Sequence, residues 1–260
     1  MLGAIAGDMI GSEHEIEGLK TKEFPLFSEH SIFTDDTVLT VAVADALLNG
    51  KSYTDLLHKY YHRYPFAGYG GTFGKWAAER HREPYNSWGN GSAMRVSPVA
   101  YAFDNLDDVI AEAERSAAVT HNHPEGIRGA QAVAVAVFLA RTGATKEAIR
   151  DEIVRRYEYN LRETLAEIRP RYSFDVSCQG SVPQAIIAFL ESTDFEDAVR
   201  NAISLGGDAD TQACIAGAIA EPFYGGVPPE IEREVLARLD DRLRELLAAF
   251  RERFILSRGK

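Results

Sequence analysis

Long apolar runs separated by short polar clusters dominate the chain, and most have helical character. Residues 37–48 (TVLTVAVADALL) are apolar almost all round, the pattern of a helix buried on every side. Residues 127–140 (IRGAQAVAVAVFLA) predict a second such helix. Residues 182–190 (VPQAIIAFL) predict a third, with Pro183 in a first-turn position where its missing N–H costs nothing. In residues 212–220 (QACIAGAIA) the side chains are small, which lets other backbones come close. The tail differs. Ile231, Val235, Leu239, Leu243, Leu247 and Phe254 recur at three- or four-residue multiples among Arg, Glu and Asp, predicting an amphipathic surface helix that stops at Gly259. Alternating strand patterns are scarce; Val and Ala alternate in 132–137, but that segment is too long and Ala-rich to favour a strand. The expectation is an all-α fold. No linker or internal repeat interrupts it, so residues 1–260 read as a single domain.

Between the helical runs lie polar, glycine-rich stretches at 11–33, 65–75, 84–98 and around 169–180. Long irregular loops inside a helical domain tend to carry function. The first segment, MLGAIAGDMIG, is apolar but short, broken by Asp8 and without a basic leader. No apolar run approaches the roughly 20 residues needed to span a bilayer. Composition then narrows the classes. With 45% hydrophobic and 26% charged residues, disorder is excluded as the default. A net charge of −11 gives no general attraction to nucleic acid or anionic lipid and suits a cationic partner. Cys178 and Cys214 form no CxxC pattern, so free buried thiols in a reducing, cytoplasmic compartment are expected, without a zinc site.

The chemistry concentrates in two similar places. Thr34, Asp35, Asp36 and Thr37 precede one buried-looking helix; Asp208, Asp210 and Thr211 precede another. Acids and threonines at helix starts can simply cap them. Capping accounts less well for two acids plus threonines, twice. Four carboxylates in one pocket would repel one another unless a cation neutralised them. Their hard oxygens favour Mg²⁺ or Mn²⁺, with Ca²⁺ possible, over zinc. A third acidic piece is GDMIGSEHE (7–15): by pattern, Asp8 braces a turn, Glu13 is solvated and Glu15 is an exposed loop acid.

Taken together, GDMIGSEHE, FTDDT, GNGSAMR (89–95), VTH (119–121) and LGGDADT (205–211) resemble the ADP-ribosylglycohydrolase family in order and spacing from residue 3 to about 225. The resemblance implies a compact, orthogonal multi-helix bundle with a centre of two Mg²⁺ or Mn²⁺ ions. It maps metal ligands onto Thr34, Asp35, Asp36, Asp208, Asp210 and Thr211, and the family's loop glutamate onto Glu15 as the catalytic residue. The ADP-ribose contacts fall on Ser87, Trp88, Gly89, Asn90, Gly91 and His121. Trp88 or Phe73 could stack on ribose or adenine; Trp88 could equally anchor a loop, and His121 could be a hydrogen-bonded core histidine. His123 before Pro124 reads as structural, and Arg95 as either an ion-pair partner or a phosphate ligand.

The implied activity is hydrolysis at ribose C1 of an ADP-ribosylated protein or a small ADP-ribose derivative, by a monomer. Family members acting on ADP-ribosyl-arginine tend to carry an acid before the glycine loop. Residues 64–77 have none, and Lys75 adds positive charge, which points to O-linked or free derivatives. The alternatives are a non-catalytic ADP-ribose binder and a two-metal phosphohydrolase. No GxSxG, GxxxxGK[ST] or HExxH pattern occurs.

Overall fold

In the computed structural model, which describes residues 1–259, glycine spacing in the first helix sets the centre of the bundle. Helix α1 (Leu2–Gly11) is buried along its whole length and lies on α13 (Ala209–Phe223). A Cβ added at Gly7 would stand 2.0 Å from the Ala213 carbonyl oxygen, at Gly3 2.3 Å from the Gly217 oxygen, and at Gly11 2.5 Å from the Asp210 Cα. Glycine every fourth residue therefore lets the two backbones touch, and it brings the acid-bearing start of α13 against the end of α1. Gly7→Ala should force the helices apart and cost about 3 kcal/mol. Urea denaturation would show it as a lower midpoint at unchanged slope.

Around this pair, α13 also packs on α8 (Pro124–Arg141), α11 (Cys178–Leu190) and α12 (Phe195–Ile203). Helix α2 (Asp35–Asn49) touches α1 and packs on α3 (Tyr53–Arg63), which in turn meets α4 (Gly71–Ala78). The single-turn helices α5 (Gly91–Met94) and α6 (Val99–Ala102) and the longer α7 (Leu106–Ala118) all lie on α8. Helix α9 (Lys146–Tyr157) also rests on α8, and the single turn α10 (Leu165–Ile168) on α11. The chain ends with α14 (Pro229–Arg238), α15 (Asp241–Phe254) and a 3₁₀ turn (Leu256–Gly259). Buried apolar residues from Met1 to Phe250 form one connected core. Among the described residues the only β-type pairing is an isolated bridge, Gly89 with Ser177, and no helix is long and apolar enough to cross a membrane.

The apolar runs lie where the pattern puts them, inside α2, α8, α11 and α13. Two details differ. Pro183 sits inside α11 instead of in its first turn, because Ser177 caps the helix earlier by accepting from the Gly180 N–H at 3.0 Å. The tail is two helices, not one. Leu239 is extended and Asp240 caps α15, accepting from the Leu243 N–H at 2.9 Å. The buried positions Val235, Leu239, Leu243 and Leu247 keep their spacing across this break, so periodicity alone could not reveal it. Of the expected loops, 65–75 already holds the start of α4, and 84–98 holds α5. Both cysteines are free and buried.

Candidate active site

The loops at 11–33, 65–75, 84–98 and 169–180 share one purpose in space: each supplies or flanks a wall of a single cleft of about 450 Å³, within the usual range for a small-molecule site. The beginnings of α2 and α13 meet in its floor. Thr211 Oγ1 lies 3.3 Å from Asp36 Oδ2, across 175 residues of sequence. Glu15, Thr34, Asp35, Asp36, Asp208, Asp210 and Thr211 all line this acid side.

Capping explains only part of the arrangement. Thr34 does cap α2, accepting from the Asp36 N–H at 3.3 Å. Asp208 stands at the cap position of α13 but makes no capping bond; its Oδ2 instead accepts from Asn90 Nδ2 at 2.7 Å. Asp36 Oδ1 is buried without any partner. Carboxylate oxygens of Asp8, Asp36 and Asp210 lie within 4.8 Å of one another, and so do those of Glu15, Asp208 and Asp210. Burial, and then the neighbouring carboxylates Asp8, Asp36 and Asp208, hold the Asp35, Asp36 and Asp210 carboxyls well above the usual carboxylate range. Asp208 is also raised by burial, against the hydrogen bonds it accepts. Glu15 is half-buried, not exposed, and its pKa is raised by desolvation and by the charges of Asp208 and Asp8.

Asp8 braces a different element from its own. Fully buried on α1, it accepts from Thr34 Oγ1 (2.6 Å), Thr34 N–H (2.9 Å), Thr37 Oγ1 (2.5 Å) and Thr37 N–H (3.1 Å). It thereby fixes the start of α2 and joins the acid group. A lone carboxylate in an otherwise apolar, glycine-spaced helix was the available sequence signal for this. Glu13 is not simply solvated either; it accepts from Ser28 and Ser31 hydroxyls and pins the loop before α2.

The glycine loop forms a further part of the lining, joined to the acid side by the Asn90–Asp208 hydrogen bond. Ser87, Gly89, Asn90 and Gly91 contribute to it, held to the 176–178 segment by Asn90 N–H to the Val176 carbonyl (2.8 Å) and Cys178 N–H to the Trp88 carbonyl (3.0 Å). His121 lines the same part, buried, and a Cβ on Gly91 would come within 3.2 Å of its Nε2. His121 is therefore both a core histidine, with Nδ1 2.8 Å from Thr120 Oγ1, and a cleft residue. Burial, assisted by the Arg95 charge, keeps its pKa well below the usual value. Trp88 is the exception among the expected contacts. Its backbone joins the loop to Cys178, but the residue is 49% exposed and lies outside the cleft lining.

Arg95 lines the cleft while fully buried, and Nη2 donates to neutral groups, the Ser116 carbonyl and Thr120 Oγ1. Nε and Nη1 have no partner, and burial brings its pKa down to about 10. His123 is structural: its Nδ1 caps α8 by accepting from the Glu125 N–H at 3.1 Å. Residues outside the sequence motifs complete the cleft, among them Tyr85, Phe174, Val176, Gly68 and Gly70, with Thr72 and Phe73 from the start of α4. Loop positions of this kind carry no periodic signal, so only the fold gathers them.

A family profile described as ADP-ribosylglycohydrolase matches residues 1–259. The chain belongs to the ADP-ribosylglycohydrolase family. ADP-ribosylhydrolase ARH3 of Mus musculus is 28% identical over 86% of this chain and 82% of its own. ADP-ribosylarginine hydrolase Tri1 of Pseudomonas putida (strain GB-1) is 28% identical over 88% of this chain and 71% of its own. A solved structure titled ADP-ribosylglycohydrolase-related protein complex superposes with a TM-score of 0.72 at 27% identity, covering 96% of this chain and 95% of that one. The all-α bundle is therefore the ADP-ribosylglycohydrolase fold, and membership makes this chain a glycohydrolase acting on ADP-ribosyl groups.

Proposed function

We propose that the cleft hydrolyses the ribose C1–O bond of O-linked ADP-ribosyl substrates with the help of two divalent cations. The observation that carries this reading is the meeting of Asp36 and Thr211, which unites two acid clusters far apart in sequence. The residues fit Mg²⁺ or Mn²⁺. Two groups of three carboxylates share Asp210, all donors are hard oxygens, and Asp36 Oδ1 is buried with nothing to bind. Thr34, Asp35, Asp36, Asp208, Asp210 and Thr211 would hold the ions, with Asp8 behind them orienting Thr34. Bound there, the cations would supply positive charge that lowers the pKa of a water near the anomeric carbon.

The remaining steps belong to the chain's own groups. The backbone at Gly89 and Gly91 lets a diphosphate approach closely, and Ser87, Asn90 and His121 lie around it. Phe73 and Phe174 offer apolar faces to ribose or adenine. Glu15 takes the proton of the attacking water or delivers one to the leaving oxygen as the C1–O bond breaks. Residues 64–77, ahead of the glycine loop, contribute no carboxylate of their own to receive a guanidinium, and Lys75 adds positive charge, which favours an O-linked substrate over arginine.

Hydrolysis of serine-linked, arginine-linked and O-acetyl ADP-ribose across a Mg²⁺ and Mn²⁺ titration tests this. We expect ADP-ribose release that requires metal, with the O-linked compounds preferred by about tenfold or more. Full activity in excess chelator would sink the two-ion reading. ADP-ribose binding without any release would mean a non-catalytic member.

A further inference from the structure

We propose that Arg95 and Thr120 are positioning residues that hold the His121 ring as the neutral tautomer protonated on Nε2, so that it donates a hydrogen bond to an oxygen of the bound diphosphate and takes no proton in the reaction. The relay rests on hydrogen-bond geometry. Its acceptor rests on the site proposed above.

Which nitrogen of a histidine carries the proton is set by the partner of the other nitrogen. Here that partner is Thr120 Oγ1, 2.8 Å from Nδ1. A hydroxyl has one proton to give and two lone pairs. One lone pair receives Arg95 Nη2, which donates to Oγ1 at 2.7 Å and directs its other proton to the Ser116 carbonyl at 3.1 Å. A guanidinium has no lone pair to accept with, so this bond runs in one direction only. The Tyr85 hydroxyl also neighbours Thr120, and burial pushes its pKa up to about 12, so it keeps a proton for the second lone pair. The threonine must then give its own proton away. Besides His121, the Ala117 carbonyl is in reach, at 3.5 Å. That oxygen already accepts from two backbone N–H groups, those of Thr120 at 3.1 Å and His121 at 2.8 Å, one for each lone pair. The proton therefore goes to Nδ1, which must be unprotonated to receive it.

The neutral ring then carries its proton on Nε2, the nitrogen beside the glycine loop. A Cβ on Gly91 would meet Nε2 at 3.2 Å and one on Gly89 at 3.7 Å. The ring is fixed in place as well as in tautomer, since a Cβ on Gly126 of α8 would stand 2.9 Å from His121 Cβ. Burial and the Arg95 charge oppose a second proton, which keeps Nδ1 open to accept. A base at this position would need the opposite arrangement, an unprotonated nitrogen toward the substrate. His121 therefore does not compete with Glu15 for the reaction's proton. The relay also links two stretches distant in sequence, because Arg95 closes GNGSAMR and Thr120 and His121 belong to VTH.

NMR of the full chain labelled with ¹⁵N-histidine reads the tautomer, with His121 assigned by the signals missing from His121→Asn. Before ADP-ribose is added, we expect a protonated Nε2 and an Nδ1 that accepts a hydrogen bond; adding ADP-ribose should shift the Nε2 proton and leave the tautomer unchanged. Thr120→Ser keeps the hydroxyl and should keep this pattern, binding ADP-ribose within about twofold of wild type. Thr120→Val should lose the Nδ1 hydrogen-bond signature and bind about tenfold more weakly, with KM raised far more than kcat is lowered, because the ring transfers no proton. A wild type with its proton on Nδ1, or with both nitrogens protonated at neutral pH, overturns the inference whatever the substrate. So does a Thr120→Val protein that binds as the wild type does. If Thr120→Val does not fold, the wild-type and Thr120→Ser spectra still decide. Ring signals that ignore bound ADP-ribose overturn the donor role. A wild type that binds no ADP-ribose overturns the function proposed above and the donor role with it, while the spectra without ADP-ribose still judge the tautomer.

Discussion

Asp210→Asn is expected to remove nearly all turnover, about a thousandfold in kcat/KM, while making the metal-free protein more stable at neutral pH. Asp210 belongs to both groups of clustered carboxylates, so its loss weakens both proposed cation positions at once. Its carboxyl is held well above the usual range by burial and then by Asp36 and Asp208. The sign follows. A carboxyl whose pKa is raised by folding favours the folded state below its unfolded value of about 3.9, and that contribution is lost as pH rises through the folded value. At neutral pH the metal-free fold therefore carries the cost of the cluster, and asparagine relieves part of it. Its amide keeps an oxygen to accept the Thr211 N–H, now at 2.8 Å. Urea denaturation in chelator should give a higher midpoint for the variant than for the wild type. Adding Mg²⁺ or Mn²⁺ should then raise the wild type strongly and the variant little. In the wild type, metal affinity should climb with pH and binding should release protons. Equal metal-induced stabilisation of both proteins would place the ions elsewhere.

The second large effect is expected at Glu15. Glu15→Gln should lower kcat by about 10²- to 10⁴-fold with ADP-ribose affinity nearly unchanged. The half-buried carboxyl sits on a loop between α1 and α2, beside Asp208 and Asp210, where burial and like charge favour its protonated form. That environment suits a group which exchanges a proton during the reaction. Glutamine keeps the shape and removes the exchange. The same oxygens are also near enough to Asp208 and Asp210 to hold a cation. Metal titration calorimetry on the variant separates the roles: unchanged metal affinity with lost turnover supports proton transfer, and a matching fall in both makes Glu15 a ligand.

The helical architecture was legible from residues alone because burial leaves a local signature. The runs at 37–48, 127–140 and 212–220 are apolar or small throughout, and each became a buried helix. The acid clusters were legible as chemistry, since Thr34–Thr37 and Asp208–Thr211 held more charge than helix caps use. What sequence could not decide was whether those clusters share a space. That depended on the fit of α1 against α13, where Gly3, Gly7 and Gly11 admit backbone contact and bring Asp8 and the start of α13 together. The same dependence left Trp88 outside the cleft lining, brought in Tyr85 and Phe174, and split the tail at Asp240 without disturbing its apolar spacing. Periodicity records which side of an element is buried. Which elements then meet is set by shape complementarity between surfaces distant in the chain, and no single stretch of sequence contains that information.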